Sequence, residues 1–169
     1  MTGEPRFVAD ENLGRLARWL RVAGVDTLHR NPADDAWLLE TATGEGRILL
    51  TRDRRFVERD RLPPPLRPGA ARARVHRVEG FETREQLAEV CRAFRIDPLA
   101  RAFTRCPRCN GAVEPIPREA ARNRVPARSF EIYERFFRCP GCDQVYWEGE
   151  HVARSRSILE VARARAGFS

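Results

Sequence analysis

Two short cysteine pairs, Cys106-Pro-Arg-Cys109 and Cys139-Pro-Gly-Cys142, stand 29 residues apart in the C-terminal part of the chain. Each C-x-x-C can wrap one side of a tetrahedral ion, and four thiolates suit Zn²⁺, which has no geometric preference from its d electrons. Four protein ligands fill the coordination sphere, so the expected site holds structure and leaves no position for substrate water. The alternative is two independent redox pairs, but such pairs normally stand alone at the start of a helix in a βαβ fold. Here proline and glycine punctuate the flanks. Residues 103–150 are too few to bury a sufficient core unaided, and metal binding would supply much of their folding energy. The fifth cysteine, Cys91, lies on the apolar face of an expected helix and reads as a buried structural thiol. An odd cysteine count argues against a disulfide framework and fits a reducing compartment.

Ahead of the cysteines the pattern changes. Arg6-Phe7-Val8-Ala9 is a short extended run, and from Asn12 the apolar residues Leu13, Leu16, Ala17, Leu20 and Ala23 recur at helical spacing, with Asn12 as cap and Gly24 as stop. Residues 25–29 read as a second strand and residues 34–42 as a second helix. Arg47-Ile48-Leu49-Leu50-Thr51, apolar without alternation, suits a parallel strand buried on both faces. Strand and helix alternating at these intervals describe an α/β unit with a central parallel sheet flanked by helices. A proline-rich loop over residues 61–74 leads to an alternating strand at residues 73–78, and Thr83 with Gln86 suggests a capped helix through Phe94. The boundary between the α/β part and the cysteine-bearing part is expected near residues 97–103, giving domains of about 1–100 and 101–169. A short amphipathic helix from Ser157 to Gly167 is expected to dock on one of them.

The net charge of +7 is carried by 31 arginines and no lysine. Two readings fit that choice and can hold together: arginine codon bias in a G+C-rich genome, and bidentate recognition of phosphate. Eighteen arginines face 16 acids in residues 1–100 and 13 face 8 in residues 101–169, so net charges are +2 and +5. Around the cysteine pairs arginines, among them Arg108 and Arg138, interleave with Phe130, Tyr133, Phe136, Phe137, Tyr146 and Trp147. Guanidinium groups for phosphate and aromatic faces for stacking are what single-stranded nucleic acid uses. The same aromatics are also the material of a small ribbon core. No apolar run reaches the length of a membrane span, and the first residues lack a basic start and an apolar signal core, so a cytoplasmic protein is expected.

Three acidic positions fall where parallel sheets place functional groups, at the carboxyl ends of strands or just beyond. Asp10 ends the first strand, Asp34-Asp35 opens the second helix, and Asp53 follows the third strand. Converging carboxylates repel unless a hard divalent cation joins them, which would make a phosphodiesterase metal site. Aspartate after a strand is equally a cap or turn residue. Arg15, Arg18 and Arg21 recur on the first helix, and Arg52 and Arg54 flank Asp53. They read either as a solvated face that offsets nearby acids or as clamps for substrate phosphates.

The segment Phe7-Val8-Ala9-Asp10-Glu11-Asn12-Leu13-Gly14-Arg15-Leu16-Ala17-Arg18-Trp19-Leu20-Arg21-Val22-Ala23-Gly24-Val25-Asp26-Thr27 resembles the opening of the Mut-seven C-terminal RNase-domain family, a PIN-like nuclease fold joined to a zinc ribbon. Ile48-Leu49-Leu50-Thr51-Arg52-Asp53, both cysteine pairs, Val125-Pro126 and residues 146–151 match its later motifs in order, so the resemblance covers about residues 6–152. It implies a ribonuclease using Mg²⁺ or Mn²⁺ on Asp10, Asp35 (or Asp34) and Asp53, with RNA as substrate and Zn²⁺ in the ribbon. Related PIN-like proteins often carry a second acid two residues after the position of Asp53, where this chain has Arg55. With six residues ahead of Phe7, no preceding ubiquitin-like domain of the kind some members carry is expected. Two functions follow as expectations. The first is an RNA-cleaving enzyme whose Arg-rich ribbon grips the strand. The second is a non-catalytic RNA-binding or RNP-associated adaptor with a degenerate pocket, which Arg55 motivates.

Overall fold

A computed structural model describes residues 4–61 and 73–168. Four short strands, β1 (Phe7–Ala9), β2 (Thr27–His29), β3 (Ile48–Thr51) and β4 (Arg74–Arg77), form a wholly parallel sheet in the order β2-β1-β3-β4. Val8 lies opposite Leu28 on one side and Leu49 on the other. Every residue of β1 and β3 is buried, as central strands covered on both faces require. Of the proline-rich loop expected over residues 61–74, residues 62–72 lie outside the described residues, and its ends belong to neighbouring elements, Arg61 to a helix and Arg74 to β4.

Alternation along β1 and β3 builds two cores. Phe7, Ala9, Ile48 and Leu50 face Leu13, Leu16 and Leu20 of the first helical segment and Leu87, Val90 and Cys91 further along the chain. Val8 and Leu49 face the opposite layer, with Leu38, Ala42 and Phe56. Burying each such Leu or Phe side chain contributes roughly 1.5–3 kcal/mol. Burial also pushes the Cys91 thiol up to about 12, which fits the structural thiol expected there.

The first helical segment opens with a 3-10 turn, Glu11–Leu13, and becomes α1 at Gly14–Val22, so Asn12 lies inside the turn and Asp10 precedes it. Gly24 ends it at φ 83°, where a Cβ would come 2.0 Å from the Arg101 carbonyl oxygen; both constraints require glycine. α2 (Asp35–Gly44) is capped by Asp34, whose side chain accepts the Trp37 N–H at 2.7 Å. α3 (Arg54–Arg61) follows β3, and α4 (Thr83–Phe94) follows β4. The cap of α4 sits one residue earlier than Thr83: the Glu85 carboxylate receives the backbone N–H of Glu82, an arrangement Gln86 does not make.

A second sheet, β5 (Glu114–Ile116), β6 (Phe136–Arg138) and β7 (Val145–Trp147), is antiparallel in the order β5-β6-β7, with the short α5 (Ala127–Ile132) between β5 and β6. Phe136, Val145 and Ala121 form its small core, against which Phe130, Tyr133 and Trp147 pack. Much of the aromatic set is therefore core, and Arg118 and Arg122 lie over the Phe130 ring. The final helix, α6 (Glu150–Ala166), begins seven residues before the expected Ser157. It returns to the α/β layer, where Leu159, Ala162 and Ala166 join the core beside α4. Among the described residues no helix is long and apolar enough to cross a membrane.

Candidate active site and metal centre

The carboxyl ends of β1 and β3 meet at one hydroxyl. Thr51, fully buried, donates its Oγ1 hydrogen to Asp10 Oδ2 at 2.8 Å and accepts the Asp53 N–H at 3.0 Å. Asp10 itself is only 8% exposed, and its backbone N–H is held by the Leu50 carbonyl. Thr51 was not among the sequence candidates; its signal is its place as the last strand residue, two before Asp53.

Asp53 faces a different partner. Its Oδ1 accepts the Arg55 N–H at 2.9 Å, and its Oδ2 accepts Arg55 Nε at 2.9 Å and Nη2 at 2.6 Å. These bonds hold the Asp53 carboxyl below the usual carboxylate range. Arg55 lies in the first turn of α3 with an 82% exposed side chain, and the charge of Asp35 also acts on it. Of the two neighbouring acids, Asp34 is committed to capping α2 and to an exposed pair with Arg30, whereas Asp35 is exposed and its side chain has no hydrogen bond among the described residues. The oxygen-only donor set of Asp10, Asp35 and Asp53 fits a hard divalent cation. Positive charge is already held there by the Arg55 guanidinium. The three acids share an edge but do not close into a group with all ligand atoms within 4.8 Å; among the described residues only the four cysteines do.

The candidate phosphate-binding arginines separate on inspection of their surroundings. Arg15 and Arg18 are exposed on α1, and Arg52 and Arg54 are exposed beside Asp53. Arg108 donates to Gln144 Oε1 at 2.6 Å, and Arg138 lies within 3.5 Å of Glu114 and 3.7 Å of Asp143. Arg21 departs from expectation. It is buried, and it donates to the backbone carbonyls of Thr27 (2.8 Å), Pro107 (3.3 Å) and Arg108 (3.0 Å), so its guanidinium ties two regions of chain together and does not face solvent.

The sulfurs of Cys106, Cys109, Cys139 and Cys142 all lie within 4.8 Å of one another, with Sγ–Sγ separations of 3.6 Å (106–142) and 3.3 Å (109–139). These approach the edge of about 3.8 Å of a tetrahedron with Zn–S of about 2.3 Å. No disulfide joins them. Burial would raise the Cys106 thiol, but the Tyr146 hydroxyl at 3.0 Å and the N–H groups of Cys109 and Arg108 bring it down to about 6. A thiolate-stabilising shell of this kind fits a zinc centre. Gly111 is the close approach in that shell, since a Cβ there would meet Cys139 Sγ at 3.0 Å.

The first knuckle is clamped to the parallel sheet by Asn110, which adopts φ 71°. Its Nδ2 donates to Asp26 Oδ1 at 2.8 Å, and its Oδ1 accepts the Thr27 N–H at 3.0 Å. Asp26 also receives Arg47 at 2.6 Å and lies 3.7 Å from Arg105. Burial works against its charge, but Arg47 and Asn110 outweigh it and hold the carboxyl low. Arg47 in turn reaches the Phe7 carbonyl at 3.2 Å. Phe7, Thr27 and Arg47 mark the amino-terminal ends of β1, β2 and β3, so the cysteine centre is anchored at the end of the sheet opposite to Asp10, Asp35 and Asp53.

The Mut7-C RNAse domain family model matches residues 5–159, nearly the whole chain and both the acidic edge and the four cysteines. No curated protein and no solved structure matches.

Proposed function

Because this chain belongs to the Mut7-C RNAse domain family, we propose that it is a metal-dependent ribonuclease whose reaction centre is the carboxyl edge of the parallel sheet. The observation that carries the reading is Asp10. Asp10 is only 8% exposed at a strand end, with Oδ2 on a neutral hydroxyl and Oδ1 open to solvent without a hydrogen bond among the described residues. A carboxylate oriented by a neutral hydroxyl, with no cationic side chain on it and one oxygen open, is available to ligate a hard cation.

Asp10, Asp35 and Asp53 would hold Mg²⁺ or Mn²⁺. Such an ion lowers the pKa of bound water and offsets charge building on the phosphoryl oxygens. Thr51 fixes the rotamer of Asp10 and the backbone of Asp53, so both carboxylates are oriented before substrate arrives. Arg15, Arg18, Arg52 and Arg54 would take backbone phosphates of the RNA. Arg108 and Arg138 would contribute only by exchanging Gln144, Glu114 and Asp143 for phosphate. Residues 1–100 would carry the chemistry and residues 101–169 the zinc-held extension, in a cytoplasmic setting that keeps the four thiols reduced.

The test is cleavage of single-stranded RNA by purified zinc-loaded protein with Mg²⁺ or Mn²⁺. The Asp10→Asn/Asp53→Asn double variant should lose cleavage while keeping its fold and RNA affinity. Equal activity in that variant contradicts the reading. A second reading, an RNA-binding adaptor without turnover, is favoured by the Arg55–Asp53 pair, in which two guanidinium N–H groups converge on Oδ2 and place a cation of the chain itself on the acid. It predicts no tight Mn²⁺ binding by the zinc-loaded wild type.

A further inference from the structure

Phe81 is 84% exposed, the most exposed large hydrophobic side chain among the described residues. Scattered exposed apolar residues need no explanation by themselves, but three observations set this one apart. The first is its place. Val78, just past β4, donates its N–H to the Thr51 carbonyl at 2.8 Å, and the loop Glu79-Gly80-Phe81 continues from there along the same sheet edge that holds Asp10 and Asp53.

The second is the rigidity of its support. Glu89 accepts the N–H groups of Glu79 (3.1 Å) and Gly80 (2.9 Å), Gln86 Nε2 donates to the Gly80 carbonyl at 3.0 Å, and Glu85 accepts the Phe81 N–H at 3.2 Å. Phe81 stands immediately before the cap of α4, the position from which an apolar residue usually packs onto the fourth residue of the helix. Here that residue is Gln86, turned to the Gly80 carbonyl instead, so the ordinary structural use of Phe81 is absent. The third is its company: the Arg52 guanidinium lies 5.3 Å from the ring centroid, and Arg52 directly precedes Asp53. A pinned backbone, a solvent-facing ring and an adjacent cation next to a carboxylate cluster form the arrangement that stacks a nucleobase and holds its phosphate.

We propose that Phe81 and Arg52 form a nucleobase subsite that stacks one unpaired base of an RNA strand beside the scissile phosphate. The inference rests on the nuclease reading of the edge and narrows the substrate to single-stranded RNA, because a base in a duplex offers no free face to the ring.

The test is fluorescence anisotropy of a labelled single-stranded RNA decamer on zinc-loaded protein, in an Asp10→Asn background without added Mg²⁺ or Mn²⁺ so that the strand stays intact. Phe81→Ala should weaken binding about 5- to 100-fold, the range of a lost base–aromatic stack. Phe81→Trp should restore it, and duplex RNA should show no dependence on residue 81. An abasic site walked along the decamer should weaken binding at one position in the parent and at none in Phe81→Ala. Unchanged affinity of Phe81→Ala, or abasic penalties that persist in it, overturns the subsite. Cleavage is read separately with Asp10 intact. Cleavage with Phe81-independent binding overturns this proposal alone, while Phe81-dependent binding without cleavage overturns the nuclease reading alone.

Discussion

The two ends of the parallel sheet are built from the same residue types and use them in opposite ways. At the amino-terminal end Asp26 is held by Arg47, Asn110 and Arg105, and Arg21 is buried on three backbone carbonyls, two of them from the first cysteine knuckle. At the carboxyl end Asp10 has a hydroxyl for a partner, the Asp35 side chain has no hydrogen bond among the described residues, and the cation on Asp53 is 82% exposed. Partners that are themselves buried cannot be lent to a ligand without leaving an uncompensated charge. An exposed guanidinium can swing away at little cost. The contrast separates a joint from a site: the first end fixes the cysteine-bearing region, and the second keeps carboxylates available.

The largest effect expected from breaking this contrast comes from the metal that the joint depends on. Stripping zinc, or Cys139→Ser, should remove on the order of 10 kcal/mol of metal-linked folding energy. NMR spectra should lose the dispersion of β5–β7 and of Asn110 while β1 and β3 keep theirs. A ribbon that stays folded without metal breaks the account of that region.

Next in size is Asp10→Asn, which should slow cleavage by about 10³, or roughly 4 kcal/mol of barrier. Urea unfolding should show a loss within about 1 kcal/mol, because the Thr51 hydrogen bond can persist to the amide oxygen.

At the joint, Asp26→Ala takes one of two carboxylates from the buried Arg47, which keeps Glu45, and removes the acceptor of Asn110; it should cost about 2 kcal/mol of stability with RNA cleavage chemistry intact. The Asp26 carboxyl is held low in the folded protein, so its stabilisation is fully present above the ordinary carboxylate pKa of about 4 and is lost as pH falls through the lower folded value. The gap between wild type and Asp26→Ala in urea midpoint should therefore be constant from pH 7 to about 5 and close on further acidification.

The smallest effect is at Arg55. Arg55→Ala frees Oδ2 of Asp53, while the backbone N–H of residue 55 keeps Oδ1, and should tighten Mn²⁺ binding a few-fold, measured by titration. Weaker binding would mean that Arg55 helps to organise the acids.

How far all this was legible depends on the range of the interaction. β1 and β3 are readable because full burial requires continuous apolar runs, and the cysteine centre because its ligands come in pairs of fixed spacing. Asp34 against Asp35 stays open in the sequence, since both fit a helix start; only the Asp34–Trp37 cap separates them. Arg21 shares its spacing with Arg15 and Arg18, and its burial comes from carbonyls 86 and 87 residues away. Asn110 carries a faint signal, an asparagine after a knuckle where positive φ is tolerated, but nothing in its neighbourhood names Asp26 or Thr27 as partners. The first two turns of α6 have only Val152 and Ala153 as apolar residues, so apolar periodicity begins only where the helix reaches the core at Leu159. Phe81 is invisible for the opposite reason: a lone exposed aromatic has no pattern to belong to.

The most direct test of the central claim, that the carboxyl edge is kept available for a divalent cation, is an electron paramagnetic resonance titration of Mn²⁺ into zinc-loaded protein. The account predicts tight binding by wild type, unchanged in Asp26→Ala and lost in Asp10→Asn. Absence of binding by wild type, or binding that survives Asp10→Asn, would contradict it.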